Sequence, residues 1–193
     1  MNYRKLRKIL SGTESINTER LVIKNLSLDD ADAMYNYAKD PEVSKYLLWG
    51  PHINREETRG YLEALQKRYK KGLYGDWGVY IKDGMQLIGT CGYAYIDTQT
   101  ESCEIGYVLS PEYQNKGYMT EAVKAVLQFT FDEIKARSAN LRIMQENKRS
   151  EALAKRVGFK LNYIGENEIN VKHIDRTLLH YRMTREEYYR LYS

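Results

Sequence analysis

The sequence predicts a mixed α/β fold, with one largely antiparallel sheet and helices on both of its faces. The strongest observation is a pair of runs rich in β-branched and aromatic residues, Trp77 to Ile81 and Leu87 to Ile96, on either side of Asp83-Gly84. Asp-Gly between two such runs favours an antiparallel hairpin with a type I′ turn. Strand and helix patterns then alternate to the end of the chain, which predicts further strands covered by helices.

The front half of the chain predicts one strand and two helices. Ser27-Leu28-Asp29-Asp30 resembles a capping box at a helix start, and Pro41 ends that helix. Asn54 caps the second helix, and two prolines and a glycine make the segment between the helices irregular. The strand is expected over residues 19–25, the helices over 28–39 and 54–71, and the irregular segment over 41–53.

The back half predicts more strands and three helices. Apolar residues at helical spacing, among them Val123, Val126 and Leu127, follow Gly117. Strands are expected over residues 102–109, 141–144 and 177–183 and after Gly158-Phe159, and helices over 117–135, over 150–157 and after Thr184. Since no repeat or linker interrupts this order, we expect a single domain over residues 1–193, with residues 1–16 as a basic N-terminal extension.

Composition narrows the class of protein. A chain of 193 residues with 42% hydrophobic content can bury a sizeable core. No apolar run approaches the roughly 18 to 20 residues of a membrane span, and the first ten residues lack the apolar stretch of a signal peptide. Cys91 and Cys103 form no CxxC pair, and the three histidines suggest no zinc signature. We therefore expect a cytoplasmic protein with reduced thiols, without a metal and without a membrane.

Positive charge is concentrated in one segment. Residues 135–160 contain eight basic residues against two acidic ones, whereas the whole chain carries +4. Such a segment attracts phosphates, so it leaves nucleic acid, an anionic membrane, a phosphorylated cofactor and a merely solvated helical face all open. The sequence contains no zinc-finger, RNP or helix-turn-helix pattern, so a nucleic-acid partner is not expected.

A candidate phosphate site lies between a strand and a helix. The segment Tyr107 to Ala122 passes from a strand through a polar loop into a helix, so loop amides and the positive end of the helix converge on one point. Gly117 lets a phosphate approach the backbone without meeting a Cβ atom. An ordinary strand-to-helix turn would have the same spacing. Neither GxGxxG nor GxxxxGK[ST] occurs, which disfavours dinucleotide-binding and nucleoside-triphosphate loops.

This loop resembles the pyrophosphate-binding motif of the GNAT acetyltransferase superfamily, Q/R-x-x-G-x-G/A. Gln114 and Gly117 occupy the first two fixed places, and Met119 departs at the last. Two more segments are similar to the family, CEIGYVL from Cys103 and the N-x-x-S…G-F ending from Asn147. With DPEVSKYLLWGP near the front, residues 17–183 resemble the branch that includes ribosomal-protein N-terminal acetyltransferases.

The resemblance implies an acetyl-CoA site at a splayed pair of parallel strands. The central strand, which corresponds to residues 103–109, and the strand near Leu141 would part. The pantetheine arm would lie in the gap between them. Met119 could still bind the pyrophosphate through its backbone amide. Lys148, Arg149 and Lys155 are candidates for the 3′-phosphate. The implied cofactor-binding residues are Tyr107, Val108, Leu109, Gln114, Asn115, Lys116, Gly117, Tyr118, Met119, Thr120 and Asn147.

The chemistry requires a neutral amine and a polarised thioester carbonyl. Glu104, on the central strand, is the candidate general base, and the Val108 amide is the candidate to polarise the carbonyl. The alternative for Glu104 is a buried carboxylate bonded to neighbouring amides or to an arginine. Many relatives place a tyrosine where this chain has Ala154, so another tyrosine, Ser150 or water would protonate the thiolate. A Cys103 nucleophile is the rival mechanism.

Aromatic residues in the irregular segment and the hairpin are candidates for the acceptor site, although packing in the core or on the surface explains such rings equally well. The acceptor could be a protein N-terminus or a small-molecule amine, and the protein a monomer or a homodimer. An acyl-CoA-binding sensor that has lost turnover is a second functional class, suggested by Ala154 and Met119. The candidate acceptor residues are Tyr46, Trp49, His52, Trp77, Tyr93 and Tyr95.

Overall fold

One eight-stranded sheet, in the order β1-β2-β3-β4-β5-β6-β8-β7, organises the computed structural model, which describes residues 1–192. The strands are β1 (Ser15–Asn17), β2 (Leu21–Lys24), β3 (Asp76–Ile81), β4 (Gln86–Asp97), β5 (Ser102–Leu109), β6 (Ser138–Met144), β7 (Lys160–Val171) and β8 (Ile174–Thr184). The α-helices within residues 1–192 are α1 (Tyr3–Gly12), α2 (Ala31–Ala38), α3 (Pro41–Ser44), α4 (Arg55–Lys70), α5 (Tyr118–Asp132), α6 (Lys148–Val157) and α7 (Arg185–Tyr192). Neighbouring strands are antiparallel except β5 and β6, so the predicted mixed, mostly antiparallel sheet is confirmed.

Three elements and one turn differ from the sequence prediction. Strand β1 was not predicted, and the short helix α3 lies in the segment predicted to be irregular. The basic N-terminal stretch is a helix, α1, whose Leu6 and Leu10 reach the core and whose first amides are capped by Asn2. The β3–β4 connection is not a two-residue type I′ turn. Ile81 pairs with Gln86, and the four residues between them form a short 3₁₀ turn, with positive φ at Gly84 and Met85.

The two faces of the sheet bury different clusters. Helices α1, α5, α6 and α7 cover one face of the sheet. Odd-numbered positions of β5, such as Cys103 and Ile105, belong to the same core cluster as these helices and therefore point to this face. Helices α2 and α4 cover part of the other face, where Tyr80 and Leu87 join a second cluster. Even-numbered positions of β5 therefore face the α2 and α4 side. Helices thus lie on both faces, as predicted.

The parallel pair β5 and β6 parts after a short contact. Pairing runs from Ser102 with Ser138 to Glu104 with Asn140 and then ends. Beyond that point β5 pairs only with β4, and β6 only with β8. Residues 105–109 and 141–144 therefore border an open gap in the middle of the sheet, as the resemblance implied.

The α2 and α4 face is only partly covered over β6, β8 and β7. At one end, the segment after α3 and the β7–β8 hairpin meet above the sheet. Lys172 Nζ donates to the carbonyl oxygen of Ser44 at 2.8 Å, and Tyr46 packs against the cluster of Met144 and Leu178. Nearer the centre of the sheet, the same face is open. None of the helices within residues 1–192 combines the length and apolar content needed to cross a bilayer.

We expect the free energy of unfolding of the Glu187→Gln variant to depend less on pH in the acid range than that of the wild type. The Lys160 ammonium and the Thr184 amide hold the pKa of Glu187 at about 2, against an ordinary 4.5, and Glu187 and Thr184 form a capping box at α7. Since the folded pKa is depressed, this stabilisation is present above pH 4.5 and is lost as the pH falls towards 2. The variant should lose about 1 kcal/mol at neutral pH.

Urea unfolding at a series of pH values measures both effects. Glu186→Gln is the matched control, because Glu186 lies on the same first turn of α7, is exposed, and forms no ion pair with a residue of the 1–192 range. Equal slopes of unfolding free energy against pH in the wild type and Glu187→Gln would contradict the assignment.

Candidate active site

The loop before α5 presents consecutive unpaired amides. Tyr113 and Gln114 donate their amides back to Ser110 and Pro111, and Glu121 donates to Gly117, but within residues 1–192 the amides from Asn115 to Thr120 have no acceptor. Two positive φ angles, 61° at Asn115 and 80° at Gly117, turn this backbone so that it leads into the helix. Free amides at a helix N-terminus form an anion site.

Three arginines approach this loop from other elements. Arg20 donates to the Lys116 carbonyl oxygen at 3.1 Å and pairs with Glu121, Arg149 donates to Gln114 Oε1 at 2.5 Å, and Arg156 donates to Thr120 Oγ1 at 3.2 Å. Two of the lysines considered from the sequence are engaged elsewhere, since Lys148 and Lys155 both pair with Glu151. Sequence reasoning missed Arg20 and Arg156, because Arg20 lies far from the loop in the chain and Arg156 was one cation among many.

The gap between β5 and β6 is bordered by backbone groups of alternate residues. The Ser110 amide donates to the Ile88 carbonyl oxygen at 2.8 Å, which fixes which residues of β5 bond to β4. In an antiparallel ladder the bonding residues alternate, so Val108 faces its partner Thr90, whereas Tyr107 and Leu109 direct their backbone groups into the gap. The close approach of the Val108 carbonyl oxygen to Gly89 agrees with this orientation. The expectation that the splay frees the Val108 amide is therefore wrong.

A hydroxyl pair lies across the gap. Tyr107 Oη and Ser150 Oγ are 2.6 Å apart and link β5 to the first turn of α6. Asn147 caps this helix and accepts from the Ser150 amide at 3.2 Å. Burial raises the pKa of Tyr107 to about 12, so its phenol is protonated at neutral pH. Ala154, one turn further along α6, is fully buried.

Glu104 faces the other side of the sheet. Its carboxylate forms an ion pair with the Arg142 guanidinium, with Oε2 2.9 Å from Nε, and its side chain is 19% exposed. The short parallel register brings this pair together, because it sets Glu104 beside Asn140, two residues before Arg142. A Cβ at the neighbouring Gly106 would meet only Ala94, at 3.7 Å, so the backbone next to Glu104 is accessible. Arg142 was missed because strand register is not visible in the sequence.

A cavity of about 540 Å³ opens in front of Glu104 on this face. In its walls a second carboxylate, that of Glu168, contacts an imidazole, with Oε2 2.6 Å from His180 Nε2. The Tyr163 ring stacks on His180, and the two ring centroids are 3.9 Å apart. Arg182 and Asn140 come from β8 and β6. The lining residues are Ala94, Tyr95, Glu104, Asn140, Arg142, Asn162, Tyr163, Glu168, His180, Tyr181 and Arg182.

The structure corrects part of the predicted acceptor set. Trp77 and Tyr93 are buried in the core on the opposite face, where Tyr93 Oη bonds to Thr130 Oγ1 at 2.7 Å. These two rings cannot contact an acceptor at Glu104, so this part of the prediction is wrong. Hairpin sequence alone did not show which of its faces the helices cover.

The other predicted aromatic residues lie on the Glu104 face. Tyr95 is exposed and lines the cavity. Tyr46 packs against the cluster of Met144, Val171 and Leu178, and Trp49 packs against the cluster that includes residues of α2 and α4; neither of them lines the cavity. His52 Nδ1 lies 2.7 Å from Thr58 Oγ1. Burial lowers the pKa of the His52 ring, which favours its neutral form.

The Cys103 thiol does not face the cavity. It lies in the core on the α5 side and is fully buried, and burial raises its pKa to about 12. At neutral pH it is therefore a thiol rather than the reactive thiolate. This geometry disfavours the cysteine-nucleophile mechanism.

Comparisons with known proteins agree with this geometry. Residues 20–160 match the sequence model of the family described as acetyltransferase (GNAT) domain. The chain is 32% identical to the uncharacterized N-acetyltransferase YnaD of Bacillus subtilis (strain 168) over 75% of its own length and 82% of the relative. It is 26% identical to the ribosomal protein uS5-alanine N-acetyltransferase of Escherichia coli (strain K12), over 75% of its own length and 77% of that relative. The solved structure of a GNAT-family acetyltransferase from Bacillus anthracis superposes with a TM-score of 0.81 at 26% identity, over 90% of this chain and 99% of that one.

Proposed function

The chain belongs to the acetyltransferase (GNAT) family, and from this premise we propose that it is an N-acetyltransferase that moves the acetyl group of acetyl-CoA to a primary amine by direct attack in a ternary complex. The observation that carries the proposal is the run of unpaired amides from Asn115 to Thr120 beside the open gap between β5 and β6. An anion site at the mouth of a groove matches a ligand with a pyrophosphate at one end and a long arm at the other.

The residues of this chain fit the cofactor. The six amides and the positive end of α5 would hold the pyrophosphate, and Arg149 and Arg156 are the nearest candidates for the 3′-phosphate. Backbone groups of Tyr107 and Leu109 would bond to the pantetheine arm. Asn147, at the start of α6, would contact the arm from the other wall of the gap.

Bound acetyl-CoA supplies the acetyl carbon, to which the amine nitrogen bonds as the carbon–sulfur bond breaks and the thiolate leaves. Glu104 removes a proton from the acceptor ammonium, either directly or through water, because only the neutral amine is a nucleophile. The amides of Tyr107 and Leu109 that face the gap are the candidates to polarise the carbonyl, in place of Val108. The Tyr107–Ser150 pair donates the proton that the thiolate takes up, and the second amine proton, lost as the amide forms, returns to this pair through water.

The acceptor enters from the cavity at Glu104. The relative that acts on ribosomal protein uS5 modifies an alanine, so a protein N-terminus is one acceptor class, and a small-molecule amine is the other. The cavity volume of about 540 Å³ accommodates either the end of a peptide or a complete small molecule.

Calorimetry with coenzyme A, followed by a thiol-release assay with acetyl-CoA and a panel of amines, tests the proposal. We expect saturable binding of coenzyme A and amine-dependent release of free thiol. Binding without release on any amine would identify an acyl-CoA-binding sensor instead. The absence of binding would refute both functions.

We expect Tyr107→Phe to slow thiol release by about tenfold to a hundredfold while leaving the affinity for coenzyme A unchanged. The phenol keeps its proton up to a pH of about 12, so in the wild type it can donate across the whole neutral range. Phenylalanine preserves the ring but removes the donor. Tyr113→Phe is the matched control, since that ring lies at the loop and not in the gap. An unchanged rate in Tyr107→Phe, or an equal loss in both variants, would exclude the donor role.

A further inference from the structure

The charged groups of the acceptor cavity are paired with one another, with a single exception. Glu104 binds Arg142 at 2.9 Å, and Glu168 binds His180 at 2.6 Å. Arg182 lines the same cavity, yet among residues 1–192 it has neither an ion pair nor a side-chain hydrogen bond. A guanidinium offers five donors in a planar fork that matches carboxylates and phosphates. Among residues 1–192, Arg182 is therefore the one charged side chain lining the cavity that makes no ion pair or hydrogen bond.

The position of Arg182 relative to Glu104 is fixed by the sheet. Glu104 pairs with Asn140 across β5 and β6, and Asn140 pairs with Arg182 across β6 and β8. The three residues form one row, so the Cα atoms of Glu104 and Arg182 lie about 10 Å apart, which is two strand spacings. Both side chains are long and line one cavity. The space between a carboxylate at one end and a guanidinium at the other suits a molecule only a few bonds long.

The distribution of charge selects among amines. A polyamine would bring a second ammonium towards Arg182, and like charges in a partly enclosed cavity repel. A simple alkylamine would leave the guanidinium without a partner. An amine that also carries a carboxylate or phosphate places opposite charges at both ends, with its ammonium at Glu104 and its anion at Arg182.

We propose that the preferred acceptor is a primary amine with an anionic group a few bonds away, and that Arg182 binds this anion while the amine lies at Glu104. The proposal rests on the acetyl transfer proposed above. Asn140 lies between the two charges in this row and lines the cavity, so its side-chain amide can bond to the intervening chain. The anion belongs either to a small amino acid-like molecule or to an acidic residue next to a protein N-terminus.

A matched series of amines tests the charge preference. 4-Aminobutanoate, 4-aminobutanamide and putrescine share a similar length and end in a negative, a neutral and a positive group. We expect kcat/KM to fall in that order, with 4-aminobutanoate about tenfold to a hundredfold above the amide. The peptide amides Ser-Asp-Ala and Ser-Asn-Ala form the second arm. A preference among the peptides alone identifies an acidic protein N-terminus, and a preference among the small amines alone identifies a small molecule.

Two variants assign the preference to Arg182. Arg182→Gln should lower kcat/KM for 4-aminobutanoate to the level of the amide and leave the amide within about twofold, and Arg182→Glu should make putrescine the better acceptor. Arg190→Gln is the matched control, because Arg190 is exposed on α7, on the opposite face of the sheet.

A calorimetric titration of 4-aminobutanoate into the protein–coenzyme A complex separates the two proposals. Binding to the wild type and not to Arg182→Gln supports the anion site even if no amine is acetylated, in which case the transfer proposal fails alone. Equal turnover of all three amines with no effect of Arg182→Gln overturns the anion site and leaves the transfer proposal intact.

Discussion

Replacing Gly117 with valine is expected to weaken the binding of coenzyme A by about a hundredfold or more. The φ angle of Gly117 is 80°, a conformation that strains any residue with a Cβ and most of all a β-branched one. Relief of that strain would turn the amides from Asn115 to Thr120 away from their common point, and each charge-assisted bond to a phosphate contributes about 1.5–3 kcal/mol. Calorimetry with coenzyme A measures the loss.

The chain contains its own control for backbone strain. Gly84 has a φ of 77° in the β3–β4 turn, and a Cβ there would meet no atom within 4 Å. At Gly117 a Cβ would meet only the Arg20 guanidinium, at 3.4 Å, so steric crowding by the protein is minor at both positions. Gly84→Val should therefore lower thermal stability about as much as Gly117→Val but leave coenzyme A affinity unchanged. Equal affinities in the two variants would show that the loop does not bind the cofactor.

The loop before α5 could be predicted from the sequence because its signals are local. The polar segment, the glycine and the following apolar helix occupy adjacent positions, and backbone amides at a helix start converge whatever the rest of the fold does. Helix α1 had local signals too, since Leu6, Ile9 and Leu10 have helical spacing behind the Asn2 cap. Its density of lysine and arginine obscured that pattern.

The acceptor side could not be predicted in the same way, because it depends on strand register and on which face the helices cover. Glu104 and Arg142 are brought together only by a short parallel contact between β5 and β6. Trp77 and Tyr95 belong to one hairpin, yet the first is buried under α5 and the second lines the cavity. The register shift between Tyr93 and Tyr95 changes which face the later residues of β4 present. No local pattern encodes that shift.

The ion pair at Glu104 raises a question that the sequence had left open, namely whether this carboxylate is a base or a structural partner of an arginine. Arg142 Nε lies 2.9 Å from Oε2, so Oε1 is the carboxylate oxygen that this ion pair leaves for a proton. Substituting each partner in turn separates the two roles. Arg142→Gln removes the ion pair and keeps the carboxylate. If Glu104 is the general base, we therefore expect this variant to lose less than tenfold in turnover.

Glu104→Gln keeps the shape of the side chain but removes both the negative charge and the proton acceptor. We expect kcat at neutral pH to fall by about a hundredfold to ten thousandfold, with unchanged affinity for coenzyme A. The deficit should shrink as the pH approaches the pKa of the acceptor amine, because an amine that is already neutral needs no base. Rate profiles of wild type, Glu104→Gln and Arg142→Gln from pH 6.5 to 10 therefore decide the role. A purely structural carboxylate would produce a deficit of the same size at every pH, and Arg142→Gln would then match Glu104→Gln.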